Sequence, residues 1–189
     1  MLFHGHSLTR GPLNFNPTKK GRFNAPNGEY GTTYLSTSAE GAFVEKFIQD
    51  APRDRYGRPL VSRARLNANC LCPIPYGAGT MTRPLRLVDV SAEGAVAIGA
   101  SGELCALADI DRLPLVRRWA LRLYQHKDEP DGIYYRARHD QSRISIALFD
   151  RAHGVLTAHC STNILADITH LDNLVIHYRV AIMDDAAGT

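Results

Sequence analysis

Long apolar runs are missing from this sequence. No stretch approaches the roughly 18 consecutive apolar residues that a membrane-spanning helix needs. The N-terminal MLFHGHSLTRGPLNF has no basic segment followed by an apolar core, which a secretory signal would have. We therefore expect a protein that resides in the cytoplasm and has no contact with a membrane.

An excess of charge of one sign is also missing. The 22 Lys and Arg residues exceed the 19 Asp and Glu residues by 3, and the arginines are dispersed among other residue types. Direct nucleic-acid binding requires a clustered basic stripe, so we do not expect it. A small positive surplus suits a compact polyanionic ligand such as a dinucleotide.

Patterns for metal binding are sparse. The four cysteines include one Cys-x-Cys pair, Cys70 and Cys72, without the second pair that completes many zinc sites. His4 and His6 have a chelating spacing, but no carboxylate or cysteine is spaced to complete the set of ligands. The sequence therefore predicts buried free thiols, a reducing compartment and neither a metal nor another cofactor.

What the sequence does contain is the composition of an ordinary globular protein. The chain has 189 residues, 44% of them hydrophobic, and no internal repeat or linker. That length is typical of one domain, and we expect a single catalytic domain over residues 1–189.

A strand followed by a helix is predicted near the N-terminus, after an irregular arm or short strand that ends at Pro17. Thr and Tyr alternate along residues 32–36, as in a strand. Thr37 is then predicted to be the N-cap of a helix that ends near Gln49, with Glu40 completing a capping box. Four apolar residues at helical spacing form its predicted core stripe: Ala39, Ala42, Phe43 and Phe47.

Strands outnumber helices in the rest of the chain. The pattern predicts one amphipathic helix over residues 115–124. It predicts strands in LVSRARL, PLRLVDVS, GIYY, RISIALF and NLVIHYRVAIM. Because these strands do not alternate regularly with helices, the predicted fold class is α+β.

The junction between the first predicted strand and its helix gathers polar side chains. Tyr34, Ser36 and Ser38 share one face of the strand, and Ser38, Gly41 and Glu45 share one stripe of the helix. Gly41 should leave a notch beside the Glu45 carboxylate. The alternative is that Glu45 is a surface residue that pairs with Lys46 or with solvent.

These residue types fit one substrate. An aromatic ring stacks on a flat heterocycle, a carboxylate stabilises an oxocarbenium-like centre, and an arginine binds phosphate oxygens. All three needs occur together in NAD+ when it is cleaved at its nicotinamide–ribose bond.

The same stretch, GRFN...YLSTSAEGAFVEKF, resembles the RES domain, a bacterial family named for its Arg, Glu and Ser. The likeness continues through PLRLVDVSAEGAVAIGASGEL, RRWALRLY and DGIYYRARHD...IALFDR. It implies a fold like that of ADP-ribosyltransferases, a mixed or antiparallel split sheet with a few flanking helices. It also implies a toxin that consumes NAD+ as substrate and is held inactive by an antitoxin with a helix-turn-helix region.

The resemblance also assigns roles to individual residues. Glu45 matches the helix glutamate and Tyr34 the strand aromatic, and we expect both to be catalytic. Arg22 matches the family arginine and should bind the NAD+ pyrophosphate. His4 stands near the position of an arginine in many members, and its imidazole should bind a ribose.

The family serine is replaced by Ala137 in DGIYYRARHD. Ser36 or Ser38 could supply the missing hydroxyl, or the chain could be an attenuated member of its family. The neighbouring Arg136 and Arg138 could clamp a phosphate or bind an acidic partner surface.

Two functions follow from these observations. The first is an enzyme that transfers ADP-ribose to a protein target, water or phosphate, with a cognate antitoxin as partner. The second is a binding module that lost turnover with Ala137 and only sequesters NAD+ or a partner.

Overall fold

A computed structural model of the chain describes residues 1–18, 21–100, 104, 113–137, 140–160 and 162–184. Its helices are α1 (Ala39–Phe43), continued by a π-helical segment (Val44–Ile48), α2 (Arg63–Asn67), α3 (Ala92–Ala97), α4 (Leu113–Tyr124) and α5 (Ile168–His177). Its strands are β1 (Leu2–Ser7), β2 (Thr32–Ser36), β3 (Leu60–Ser62), β4 (Asn69–Ile74), β5 (Leu87–Asp89), β6 (Gly132–Arg136), β7 (Ile144–Phe149) and β8 (Ala181–Met183).

Six strands form the main sheet in the order β4-β1-β2-β7-β6-β5. All neighbours are antiparallel except β5 and β6, which are parallel. Strands β3 and β8 form a separate parallel pair. The prediction of an α+β fold with a mixed, mostly antiparallel sheet and a few flanking helices is therefore confirmed.

The sheet is split between β1 and β2. Strand β1 pairs with β4 at six consecutive positions, and β2 pairs with β7 at five. In contrast, β1 and β2 pair at one position, Phe3 with Ser36, among the described residues. The two strands therefore diverge from this pair and leave an opening in the sheet.

Both faces of the sheet are covered. One face carries Leu35, Ile146 and Leu148, which pack with Cys70 and Cys72 of β4. Along each strand the alternate residues project to the other face. There, one apolar cluster lies under α4 and another surrounds Phe43 and Phe47 of the first helix.

The predictions for two segments that begin helices need correction. The N-cap of α1 is Ser38 and not Thr37, because the Ser38 hydroxyl accepts a hydrogen bond from the Gly41 N–H at 3.1 Å. The strand predicted in LVSRARL ends at Ser62, whose hydroxyl accepts from the Arg65 N–H at 3.1 Å and so begins α2. In both places, a serine side chain satisfies an N–H group that the first turn of the helix leaves unpaired.

The strand predicted in NLVIHYRVAIM is mostly wrong. Its first five residues, 173–177, belong to α5, which begins where the Asp167 side chain accepts from the His170 N–H at 3.0 Å. Leu171 and Leu174 are buried on one face of this helix. The β-branched residues favoured a strand, but the cap and the helical spacing of the two leucines prevail, and only Ala181–Met183 is extended.

The prediction of free thiols also needs correction. Cys70 and Cys160 form a disulfide, whereas Cys72 is a free, buried thiol. Cys105 lies outside the described residues, as does Arg138. Among the helices that the structure describes, none has the length and apolar character to cross a bilayer.

Candidate functional site

A cavity of about 520 Å³ occupies the opening between β1 and β2. Strand β1 contributes His4 and Gly5, and strand β2 contributes Tyr34 and Ser36. The remaining walls come from the loop before β2, from the first helix and from β6. Its size falls within the range of small-molecule sites, about 300–1,000 Å³.

Glu45 reaches the cavity because of local helix geometry. The helix changes from α to π-helical form at Val44, so that the Gln49 N–H donates to the Val44 carbonyl at 3.0 Å. Glu45 and Lys46 follow in this wider segment, and both line the cavity. Single π-helical turns occur frequently at functional sites.

Gly41 allows this helix to approach the sheet. A Cβ atom at position 41 would lie 2.2 Å from the Ser36 hydroxyl oxygen, which is far inside contact distance. The expected notch beside Glu45 is therefore filled by Ser36. Glycine at this position sets how closely the helix that carries Glu45 packs on β2.

Arg22 is held by a loop that is anchored on Tyr34. The Tyr34 hydroxyl accepts from the Phe23 N–H at 3.0 Å and donates to the Asn24 side-chain oxygen at 2.6 Å. The Arg22 guanidinium lies 5.1 Å from the ring centroid of Tyr135, which is within the range of a cation–π contact. Tyr34 therefore fixes the arginine loop in addition to presenting its ring to the cavity.

Burial and nearby charged side chains shift the pKa values of Tyr34 and Tyr135. Burial raises the pKa of both Tyr34 and Tyr135 above the usual phenol value. The Glu45 carboxylate raises each pKa further, whereas the Arg22 guanidinium lowers it. Both phenols stay neutral at physiological pH, so they act as rings and hydrogen-bonding groups and not as bases.

His4 lines the cavity as a neutral imidazole. Burial lowers its pKa to about 4, against the opposing effect of its hydrogen bond with the Pro12 carbonyl. Its Nδ1 must donate in that bond because a carbonyl oxygen only accepts. In this tautomer Nε2 is an acceptor, which suits a hydroxyl donor such as a ribose.

Three residues that were predicted to bind NAD+ have side chains that bond to other protein groups, and two of the three lie outside the cavity. Ser36 lines the cavity, but its hydroxyl donates to the Ile144 carbonyl at 2.9 Å. Ser38 caps α1 and does not line the cavity. Arg136 is exposed, also outside the cavity, and donates to the Gln141 carbonyl at 2.9 Å.

The sequence did not predict several of the residues that line the cavity. Arg10 and Lys46 add positive charge to Arg22, and Tyr135 adds a second aromatic side chain. Burial lowers the pKa of Lys46, and the nearby Arg65 and Arg10 lower it further. Lys46 follows Glu45 directly in the sequence, and both line the cavity from a π-helical turn that no sequence pattern indicated.

The cavity therefore combines the carboxylates of Glu45 and Asp50 with two aromatic rings, a neutral imidazole and three cationic side chains. Such a set binds an anionic ligand with a flat ring and stabilises positive charge that develops beside a carboxylate. Among the described residues, the side chains grouped closely enough to bind a metal are His6, Cys72 and Cys160, none of which lines this cavity.

The chain was compared with known proteins. The family model of the RES domain matches residues 2–169. Among solved structures, a chain in the crystal structure of the M. tuberculosis MbcT–MbcA toxin–antitoxin complex matches with a TM-score of 0.60 and 17% sequence identity, covering 86% of this chain and 82% of that chain. A comparison with curated proteins found no match. At this identity the solved structure shows a shared fold.

Proposed function

The chain belongs to the RES domain family, and we propose that it is the toxin of a toxin–antitoxin pair, an enzyme that cleaves NAD+ at its nicotinamide–ribose bond. The observation that supports this most is the assembly of Glu45, Tyr34, Arg22 and His4 around one cavity. These four residues come from four separate segments of the chain. Their convergence agrees with the roles that the family resemblance implies for them.

In the proposed reaction, the bond between ribose C1′ and the nicotinamide nitrogen breaks and its electron pair leaves with nicotinamide. Nicotinamide departs as a neutral molecule because it is already cationic in NAD+. The ribose becomes an oxocarbenium ion. A nucleophile then bonds to C1′ and loses its proton, so that ADP-ribose is transferred to water, phosphate or a protein side chain.

The cavity residues serve this reaction in separate ways. The Glu45 carboxylate stabilises the developing positive charge, which is worth several kcal/mol in a partly desolvated site. Arg22 binds the pyrophosphate, and Arg10 and Lys46 add to the positive field around it. His4 accepts a hydrogen bond from a ribose hydroxyl through Nε2, and the rings of Tyr34 and Tyr135 hold the nicotinamide.

A protein antitoxin is the proposed partner. The matching solved structure is a toxin–antitoxin complex by its title, and the family resemblance implies an antitoxin with a helix-turn-helix region. Such a partner would keep the enzyme inactive until it is removed. Copurification of the chain with the product of an adjacent gene tests this part of the proposal.

Nicotinamide release by the purified protein tests the enzyme directly. We expect Glu45→Gln to lower turnover at least about 100-fold while NAD+ affinity stays within about tenfold, because the carboxylate is needed mainly when charge develops. Glu40→Gln is the matched control. Glu40 lies on the preceding turn, outside the cavity, 3.6 Å from Arg143, and its variant should retain activity.

Two results would contradict parts of the proposal. Near-wild-type turnover of Glu45→Gln would reject the catalytic role of Glu45. NAD+ binding without any nicotinamide release by the wild type would favour the second candidate, a binding module, which the absence of a hydroxyl at Ala137 supports. The mass of the product, as free ADP-ribose, its phosphate or a modified protein, identifies the acceptor.

A further inference from the structure

A second cluster of reactive side chains lies where β1 and β4 pair, next to His4 but not itself part of the cavity lining. His6 is directly opposite Cys70 in the ladder, and His4 is opposite Cys72. Cys70 and Cys72 are two residues apart on one strand, so they and His6 project to the same face of the sheet. Cys160, from the segment before α5, lies against this face and is bonded to Cys70.

The ligand atoms of this cluster are already near one another. A ring nitrogen of His6, Cys72 Sγ and Cys160 Sγ all lie within 4.8 Å of one another. Tetrahedral zinc with bonds of about 2.3 Å to sulfur and 2.0 Å to nitrogen separates its ligand atoms by roughly 3.5–3.8 Å. Shifts of about 1 Å would therefore bring these three atoms into the first coordination shell.

His6 provides an independent indication of a ligand. It is only 4% exposed, and its Nε2 has no hydrogen-bond partner among the described residues. Its Nδ1 is 2.9 Å from the Ser7 carbonyl, to which it must donate. With Nδ1 bonded to that carbonyl, the buried Nε2 is the ring nitrogen whose lone pair remains to bind a ligand. A carbonyl that holds the other ring nitrogen is the usual arrangement for a histidine that binds a metal.

We propose that His6, Cys70, Cys72 and Cys160 bind one zinc ion when the Cys70–Cys160 disulfide is reduced. A thiol reductant supplies two electrons and two protons to open the S–S bond and becomes a disulfide itself. The zinc ion then forms bonds to three thiolates, whose three protons go to solvent, and to neutral Nε2. Three sulfur ligands and one imidazole form a common tetrahedral set for structural zinc.

The ion would connect three segments that are distant in sequence. It would join β1, β4 and the segment at Cys160, and so fix β1 from the side opposite Gly5, which faces Lys46. Because β1 also contributes a wall of the NAD+ cavity, zinc would stabilise the fold beside that cavity without taking part in the reaction.

Metal content measured on reduced protein tests the proposal independently of NAD+ cleavage. The full chain is produced with zinc, purified with a thiol reductant and examined by mass spectrometry for bound metal. We expect about one zinc per chain, falling at least tenfold in Cys72→Ser and in His6→Gln. His159→Gln, an exposed histidine next to Cys160, is the matched control and should retain its zinc.

Measurements on the wild type keep the proposal testable if a variant fails to fold. X-ray absorption should show about three sulfur ligands near 2.3 Å and one nitrogen ligand near 2.0 Å. Zinc should also slow alkylation of Cys70, Cys72 and Cys160 at least tenfold, until a chelator is added. Reduced protein without zinc, zinc that remains in both ligand variants, or iron or copper at stoichiometric amounts would overturn the assignment.

Discussion

Arg22 serves both packing and binding in this site. Its guanidinium lies over two aromatic rings, 5.4 Å from the centroid of Phe23 and 5.1 Å from that of Tyr135. These contacts orient a charged group that also lines the cavity. The proposed contact with the pyrophosphate can be separated from the packing by comparing two ligands.

Arg22→Ala should weaken NAD+ binding by about 2–3 kcal/mol, the scale of a charge-assisted contact. Nicotinamide riboside lacks the pyrophosphate and should lose far less. Calorimetric titration of both ligands measures the two losses. Arg136→Ala is the matched control, because Arg136 lies outside the cavity. Equal losses for the two ligands would assign Arg22 a role in packing alone.

Position 137 is the candidate site for the family hydroxyl. Ala137 is fully buried directly after the end of β6, two residues from the cavity residue Tyr135, although it does not itself line the cavity. Ser36 and Ser38 are poor substitutes, because one hydroxyl donates to a carbonyl and the other caps a helix.

We expect Ala137→Ser to raise nicotinamide release by up to about tenfold, through one added hydrogen bond worth about 0.5–1.5 kcal/mol. Steady-state rates at saturating NAD+ measure the gain. Ala152→Ser, at a buried position of the apolar cluster around Leu35 and Cys72, controls for the general effect of a buried hydroxyl. An unchanged rate in a stable Ala137→Ser protein would show that no hydroxyl is needed there.

At the scale of elements, the segment from Ser38 to Ile48 determines where Glu45 lies. Its start depends on the cap from Ser38, its distance from β2 depends on Gly41, and its π-helical form brings Lys46 beside Glu45. The cap therefore affects stability, and we expect no direct effect on the ligand.

Ser38→Ala should lower the free energy of unfolding by about 1 kcal/mol, the usual cost of losing an N-cap hydroxyl, and Ser38→Gly by only a few tenths. The KM for NAD+ should stay within about twofold in both variants. Urea unfolding and initial-rate kinetics supply the two values. A large rise in KM with normal stability would place Ser38 in contact with the ligand instead.

Local signals predicted some elements and not others. Strand β2, helix α4 and the strands β6 and β7 follow from residue periodicity, since each is long enough to show its period. The capping residue of α1 was misplaced by one because Thr37 and Ser38 are both good caps. Helix α5 was predicted as a strand, since its β-branched residues outweighed the Asp167 cap.

Contacts between distant segments could not be predicted from these signals. The meeting of His6 with Cys70 and Cys72 depends on the register of β1 against β4, which spacing within the sequence does not reveal. The same holds for Tyr135, which β6 brings to the cavity. The spacing of the predicted strand and helix indicated Tyr34 and Glu45, and the family resemblance assigned roles to Arg22 and His4. The structure shows all four around one cavity.

At the scale of the whole molecule, an ion pair between the buried Asp131 and the 42% exposed Arg83 side chain connects the loop before β5 to the start of β6. Asp131 is 0% exposed and accepts two hydrogen bonds of 2.6 Å from Arg83 and one of 2.8 Å from the Arg86 N–H. Burial, the largest influence, raises the pKa of the Asp131 carboxyl. The hydrogen bonds from Arg83 and Arg86 together outweigh it, so that the pKa lies below the usual value.

A lowered pKa means that this carboxylate stabilises the fold above about pH 4 and that the contribution disappears as pH falls through the folded-state pKa. Asp131→Asn should therefore lower the free energy of unfolding by about 2 kcal/mol at pH 7. Below about pH 4, the difference in unfolding free energy between this variant and the wild type should become smaller. Urea unfolding at several pH values gives both quantities.

The matched control is Asp184→Asn, since Asp184 is 85% exposed in its pair with Arg63. Exposed pairs contribute little to stability, so this variant should follow the wild type at every pH. If the difference in unfolding free energy between Asp131→Asn and the wild type stays constant from pH 7 to pH 3, the lost stability arises from packing and not from charge.

The single pair between β1 and β2 bears on how the molecule unfolds. Within the described residues these strands pair through Phe3 and Ser36 alone, and side-chain packing such as that of Leu35 with Cys72 supplies further contact. The ladder of β4 and β1 and the ladder of β2, β7, β6 and β5 can therefore open with different free energies. A ligand in the cavity between them contacts both, so binding would couple the two openings into one cooperative transition. Part of the free energy of ligand binding would then stabilise the contact between the two ladders, and the protein would fold and unfold as a single unit.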